Sequence, residues 1–385
     1  MLELMHAKLC ENDRNTAATT RTRAQYGQSQ MRRLLTILVA VVGVVASTGL
    51  AAPAVLTQNE ITPYLHPQRL VDVGGRKINV YCIGHGSPSV ILDAGEGETM
   101  FTWHKVQPAI AKFARVCSFD RAGMGFSDAG PLPRDANAMV ADLHTLLRRS
   151  HIAPPYVLVG HSVGGLYALL YADRYLPEVA GMVLVDPSFP NQTQALHAAS
   201  PTLKRMEAKA GDAYTFCYQA ALHGELSINR GSEAYAICGF PPHATADLRT
   251  QCAKNGAPWC EMEHLSFARL LRPSFWSALG SEDAASYAID SAEDLKAQRS
   301  YGAMPFTVLT AANDIGDSPL PPAEMRAIDR AWNAGHDRLA RLSSVGVNSV
   351  IPHTEHFIQL DRPAVVTTAV AKVVSQTKRR LNLAG

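Results

Sequence analysis

The chain has 385 residues, 47% of them hydrophobic and 18% charged, which suits a large folded domain and excludes an intrinsically disordered protein. Its formal net charge is +2 and no long basic block stands out. The electrostatic footprint of a nucleic-acid binder is missing, so no nucleic-acid partner is expected.

Residues 1–55 read as a leader. Arg32 and Arg33 precede the apolar run LLTILVAVVGVVASTGLAA, which ends in small residues with a cleavage site expected after Ala51. Met31, directly before the two arginines, is an alternative start to Met1. The layout predicts export, to a periplasm or the medium. The alternative is N-terminal membrane association through an uncleaved anchor, because residues 34–56 approach the length of a bilayer span.

Residues 66–187 alternate strand and helix signals. RLVDVGGRKINVYCIG reads as a hairpin turned at Gly74 and Gly75, followed by the apolar strand SVILDAG. Next come a helix pattern around VQPAIAKFA, the strand RVCSFD and the helix ANAMVADLHTLLRRS. YVLVG, GMVLVD and, later, FTVLTAA are short runs suited to strands buried on both faces. The alternation predicts an α/β fold with a mostly parallel central sheet flanked by helices.

Between 188 and 302 the alternation fails, and this stretch reads as an inserted, mainly helical cap. It holds Cys217, Cys238, Cys252 and Cys260; with Cys82 and Cys117 they form an even set in a chain expected to be exported, so disulfides are expected. Cys252, Cys260 and His264 fit no common zinc spacing and lack an evident fourth ligand, so no metal is expected. Phe216, Tyr218, Trp259, Met262 and Trp276 read mainly as cap core, with a pocket lining as the alternative. Regular alternation resumes over 303–385 with FTVLTAA, SVIPH and the helix AVVTTAVAKVVSQTKRR.

Gly160-His161-Ser162-Val163-Gly164 is a G-x-S-x-G elbow between the strand YVLV and the helix GLYALLYA. A serine hydroxyl is a poor nucleophile unless it is exposed, oriented and deprotonated during attack. A sharp turn supplies the first two conditions. Glycines at 160 and 164 clear the space it needs, and Gly165 lets the helix pack closely on the sheet. A phosphate-binding turn is disfavoured, since the G-x-G-x-x-G pattern and the P-loop lysine are both absent.

Over roughly residues 69–380 the chain resembles the α/β-hydrolase superfamily, on VILDAGEG, SFDRAGMGFSD, LVGHSVGGLYA, GMVLVDPS and HFIQLDRP. The resemblance implies a triad in the order Ser, Asp, His. His356, in HFIQLDRP, is the expected base, with His353 as its rival; the family carries glycine directly before this histidine, where Glu355 stands here. The acid is expected after FTVLT, at Asp314, with Asp317 and then Asp186 as alternatives. The other histidines read as surface residues, and His161 is not expected to act as the base.

Two backbone N–H groups are expected to hold the oxyanion: that of Val163, after the nucleophile, and that of Glu96, in the AGEG loop after SVILD. HGSP, at 85–88, precedes the strand and reads as a connecting turn. Asp120 and Arg121 read as a structural ion pair and turn rather than catalytic groups. The family's strand order sets Cys82 and Cys117 on neighbouring strands, either bridged or as reduced core cysteines.

These readings converge on a serine hydrolase acting on a small-molecule carboxylic ester, with Ser162, Asp314 and His356 as its triad and no metal or organic cofactor. Amide hydrolysis, or acyl transfer to an acceptor other than water, uses the same residues and is the alternative. A non-catalytic binding protein on the same fold is the reading from a different class.

Overall fold

In the computed structural model, residues 61–226, 238, 265, 268–288, 300–312 and 320–382 are described. The leader, Cys252, Trp259, Cys260, Met262, His264, Asp314 and Asp317 lie outside them. No described helix is long and apolar enough to cross a membrane.

Eight strands make one sheet: β1 (Arg69–Asp72), β2 (Lys77–Ile83), β3 (Ser89–Asp93), β4 (Val116–Phe119), β5 (Tyr156–His161), β6 (Val179–Val185), β7 (Phe306–Ala311) and β8 (Val347–Ile351). Their spatial order is β1-β2-β4-β3-β5-β6-β7-β8. The strands from β4 across to β8 are parallel, and β1 and β2 add an antiparallel edge. The chain thus has the α/β-hydrolase fold. The predicted hairpin turns where expected: Gly74 and Gly75 take positive φ, and the Asp72 carboxylate accepts both of their N–H groups.

Period-2 geometry splits the central strands between two cores. Leu158, Met182 and Leu184 pack on one face with helices α1 (Ala136–Arg149) and α2 (Val163–Arg174). Val157, Val159, Val183 and Val185 pack on the other with Trp103 and Ile110. Burial on both faces is why these strands read as unbroken apolar runs. The helix expected around VQPAIAKFA is a single turn, Gln107–Ile110. Residues 111–114 continue as turns and a bend before β4 begins at Val116.

Between β6 and β7 the described chain is helical: α3 (Gln192–Ala199), α4 (Pro201–Leu222) and α5 (Pro273–Ala288). Cys217, Cys238, Phe275, Trp276 and Leu279 form a third apolar cluster that also takes in Met124 of the sheet domain. Trp276 is therefore cap core, and its indole N–H donates to the Leu270 carbonyl; Phe216, by contrast, is exposed. Two disulfides are present among the described residues. Cys82–Cys117 links residues directly opposed on β2 and β4, and Cys217–Cys238 closes part of the cap.

The chain returns to the sheet domain with α6 (Pro322–Ala340), before β8, and α7 (Pro363–Leu381), whose Val366, Val370 and Val373 complete the second core.

Candidate active site

Ser162 stands at the carboxyl end of β5 with φ 53° and ψ −124°, outside the ordinary regions for a non-glycine residue. The glycines around it have the space problem that the sequence implies. A Cβ on Gly160 would lie 2.4 Å from the Gly164 carbonyl oxygen, and one on Gly164 would lie 2.6 Å from that of Ala94. One on Gly165 would meet Pro187 Cβ at 2.5 Å, so the first turn of α2 is set against the residue after Asp186.

The serine is tied to the end of β6. Its N–H donates to the Val185 carbonyl, and its own carbonyl accepts from Ser188 N. That crossing brings in Asp186, which is fully buried and itself at positive φ. Asp186 Oδ2 lies 2.7 Å from His356 Nδ1. Its Oδ1 accepts from the Trp332 indole N–H and from Ala311 N, each at 2.9 Å. Burial disfavours the carboxylate, but the bond and charge of His356, with His336 and the Trp332 donor, together outweigh it and hold the Asp186 pKa below its ordinary value.

The carboxylate beside His356 is that of Asp186, the third of the expected acids; Asp314 and Asp317 lie outside the described residues. An imidazole Nδ1 has one hydrogen to give, and Asp186 takes it. The contact follows from β6: its end runs directly beside that of β5, which carries Ser162, so an aspartate there reaches the histidine loop.

His356 is buried, whereas its rival His353 is exposed. With Nδ1 donating to a carboxylate, neutral His356 carries its free lone pair on Nε2, the tautomer a general base requires. Burial first, and then the neighbouring His161, push its pKa below the ordinary imidazole value. Glu355, in place of the family's glycine, is accommodated by Asp361, whose carboxylate accepts from Glu355 N and the Thr354 hydroxyl.

His161 and His336 are not surface residues as expected; both are fully buried. His161 is barred from acting on Ser162, because its Nε2 donates to the His356 carbonyl at 3.0 Å and its Nδ1 faces Glu98. His336 joins the Thr310 hydroxyl to the Pro187 carbonyl, 4.0 Å from Asp186 Oδ1. Trp332 and His336 sit four residues apart on α6, so one helical face delivers both to Asp186. That i, i+4 spacing in AWNAGHD was the available signal.

The loop after β3 is clamped from below. Arg121, fully buried, donates to the Ala94 and Gly95 carbonyls and pairs with Asp93 at 2.9 Å and Glu282 of α5 at 2.8 Å. The expected ion pair at Arg121 exists, but its partners are Asp93 and Glu282. Asp120 instead accepts from Asn79, Met100 N and Phe126 N. A trans peptide sets its N–H opposite its C=O, so fixing the Gly95 carbonyl on Arg121 turns the Glu96 N–H away from it. The neighbouring N–H groups are engaged: Gly95 with Glu98, Gly97 with Glu282 and Glu98 with the Gly95 carbonyl. The Glu96 side chain is half-buried. Its Oε1 is buried without a partner among the described residues, and burial, then Asp283 and Glu282, push its pKa well up.

A family model described as the alpha/beta hydrolase fold matches residues 85–223. The uncharacterised protein YbdG of Bacillus subtilis is 30% identical over 125 residues, 32% of this chain and 38% of that protein. 2-Hydroxy-6-oxo-2,4-heptadienoate hydrolase of Pseudomonas putida is 31% identical over 120 residues, 30% of this chain and 43% of that enzyme. The chain spans less than half the length of these relatives. A solved structure of a probable hydrolytic enzyme from Pseudomonas aeruginosa PAO1 superposes with a TM-score of 0.54 at 18% identity, covering 78% of this chain and 90% of that one; the likeness is one of fold.

Proposed function

We propose that this chain, which has the α/β-hydrolase fold, cleaves carboxylic esters through an acyl-enzyme on Ser162, with His356 as base and Asp186 as the acid that orients it. The observation that carries the reading is the 2.7 Å contact of His356 Nδ1 with Asp186, beside a serine held at a sharp strand-to-helix turn.

In the proposed cycle His356 Nε2 takes the hydroxyl proton as Ser162 attacks the ester carbonyl, and Asp186 stabilises the imidazolium that forms. The N–H groups of Glu96 and Val163 hold the oxyanion, each contributing on the order of 3 kcal/mol to the barrier reduction. His356 then passes its proton to the departing alkoxide. Water, deprotonated by the same nitrogen, releases the acid from Ser162. These steps call on no metal or organic cofactor.

Export belongs to the same proposal. Residues 32–51 have the layout of a signal segment, and the Cys82–Cys117 and Cys217–Cys238 bridges suit an oxidising compartment.

The test is covalent labelling of the purified protein with a fluorophosphonate probe, followed by rates over nitrophenyl esters of increasing acyl length and matched aryl amides. Labelling of wild type that disappears in Ser162→Ala, with esters turned over faster than amides, is the expected result. Equal labelling of the variant removes Ser162 as nucleophile, and faster amide turnover removes the ester assignment.

A further inference from the structure

We infer that Glu98 and His161 form a buried carboxylate–imidazolium pair that acts as a positioning device beneath the proposed triad, joining the AGEG loop to the loop of His356 and setting the pH at which His356 becomes a base. The inference rests on the triad assignment above.

The directions of the hydrogen bonds support it. His161 Nε2 lies 3.0 Å from the His356 carbonyl, an atom that only accepts, so this nitrogen carries a hydrogen. His161 Nδ1 lies 3.1 Å from Glu98 Oε1 and 3.2 Å from Oε2. Glu98 Oε2 also accepts from Gly95 N at 2.9 Å, which favours its charged form. With the proton between them on the more basic partner, both ring nitrogens donate and the ring is a cation. The titration tendencies agree. Burial opposes each charge, yet Glu98 holds the His161 pKa above its ordinary value and His161 holds that of Glu98 below its own.

Placement gives the pair its consequence. The rings of His161 and His356 are 4.6 Å apart, so a cation on the first opposes protonation of the second. The groups acting on this cluster are Glu98 from the AGEG loop, Asp186 from the end of β6, His336 from α6, and the two rings themselves. The pair also fixes the loop: a Cβ on Gly95 would lie 2.8 Å from His161 Nδ1 and 3.0 Å from Glu98 Oε1. Only glycine leaves room for the contact.

The test combines Glu98→Gln with histidine nitrogen NMR. A glutamine amide can accept from Gly95 N and donate to His161 Nδ1, so the bonds persist while both charges vanish. In wild type, the His161 nitrogens are expected at imidazolium positions throughout pH 6–8, with His161→Asn assigning the resonance. In Glu98→Gln, His161 becomes neutral and the pKa of His356 rises by roughly half a unit to one unit, the like-charge effect reduced by loss of Glu98 itself. The acidic limb of kcat/KM should move up by the same amount. A neutral His161 in wild type at pH 7 overturns the inference, as does a folded Glu98→Gln protein whose His356 titration is unmoved. A merely structural pair lowers stability or plateau rate without moving that titration. The NMR readout needs no turnover, so failure of the esterase proposal and failure of this pair are seen separately.

Discussion

Asp186 and His356 stand 170 residues apart in the chain and 2.7 Å apart in the fold. The carboxylate cannot swing away from the histidine, because Trp332 and Ala311 hold its other oxygen. Such an acid is organised before any substrate arrives, and its bond to Nδ1 selects the histidine tautomer that can accept a proton on Nε2.

Asp186→Asn keeps the size of the side chain but lets an amide face Nδ1 and favours the wrong tautomer. Ester kcat should fall by on the order of 10³–10⁴-fold. Trp332→Phe removes one of the two donors to Oδ1 and should cost about tenfold, the scale of a single bond to a charged group. Asp314→Asn and Asp317→Asn should stay within about threefold of wild type. Steady-state rates of these four variants decide between Asp186 and the aspartates after β7.

The pH dependence has a definite sign. His356 must be neutral to act as base, and burial together with His161 lowers its pKa. The acidic limb of kcat/KM should therefore lie below the ordinary imidazole value of about 6.5, with activity retained to lower pH than a solvent-exposed histidine would allow. A pH–rate profile on an uncharged nitrophenyl ester measures it.

The elbow glycines should be intolerant in graded ways. On Gly164 a methyl meets backbone oxygens of Ala94 and Asp93 at 2.6 and 2.8 Å, atoms that cannot turn aside. On Gly165 it meets Pro187 Cβ at 2.5 Å and pushes α2 from the segment that carries Asp186. Each alanine substitution should lower stability by about 1–3 kcal/mol, the scale of core overpacking. Gly164→Ala should in addition lower fluorophosphonate labelling, because it displaces the loop of Glu96. Thermal unfolding and labelling rates separate the two effects.

What the sequence made legible was governed by local chemistry. The tight turn at Ser162 was legible because its glycines answer a steric demand written within a few residues, and the paired cores could be read from strands that are apolar on both faces. Asp186 is harder to read for a physical reason. An aspartate at a strand end looks the same whether it closes a turn or faces a histidine, and only the pairing of β6 with β5 and β7 decides. The same holds for Arg121, whose neighbour in sequence, Asp120, is not its ionic partner, and for Glu98 and His161, which meet only once β3 and β5 lie side by side.

Arg121 offers the last prediction, because it ties the loop of the proposed oxyanion donor Glu96 to a buried ion pair. Replacing it with methionine leaves Asp93 and Glu282 buried without their shared cation and frees the Ala94 and Gly95 carbonyls. Breaking such a pair from one side costs about 3–5 kcal/mol, and ester turnover should fall as the Glu96 N–H loses its orientation. The deficit should depend on pH. Burial raises the Asp93 pKa to about 6 even with Arg121 opposing the shift. A carboxyl whose pKa is higher folded than unfolded loses stability as pH rises through the folded value. Without the guanidinium that value climbs further, so Arg121→Met should lie closest to wild type near pH 5 and fall increasingly behind above pH 6. Glu282→Gln keeps Asp93 and both loop carbonyls on Arg121, so it should cost less stability and leave ester turnover nearer to wild type. Denaturant unfolding of both variants across pH 5–8, beside their rates, tests the assignment; a deficit independent of pH would remove Asp93 from the account.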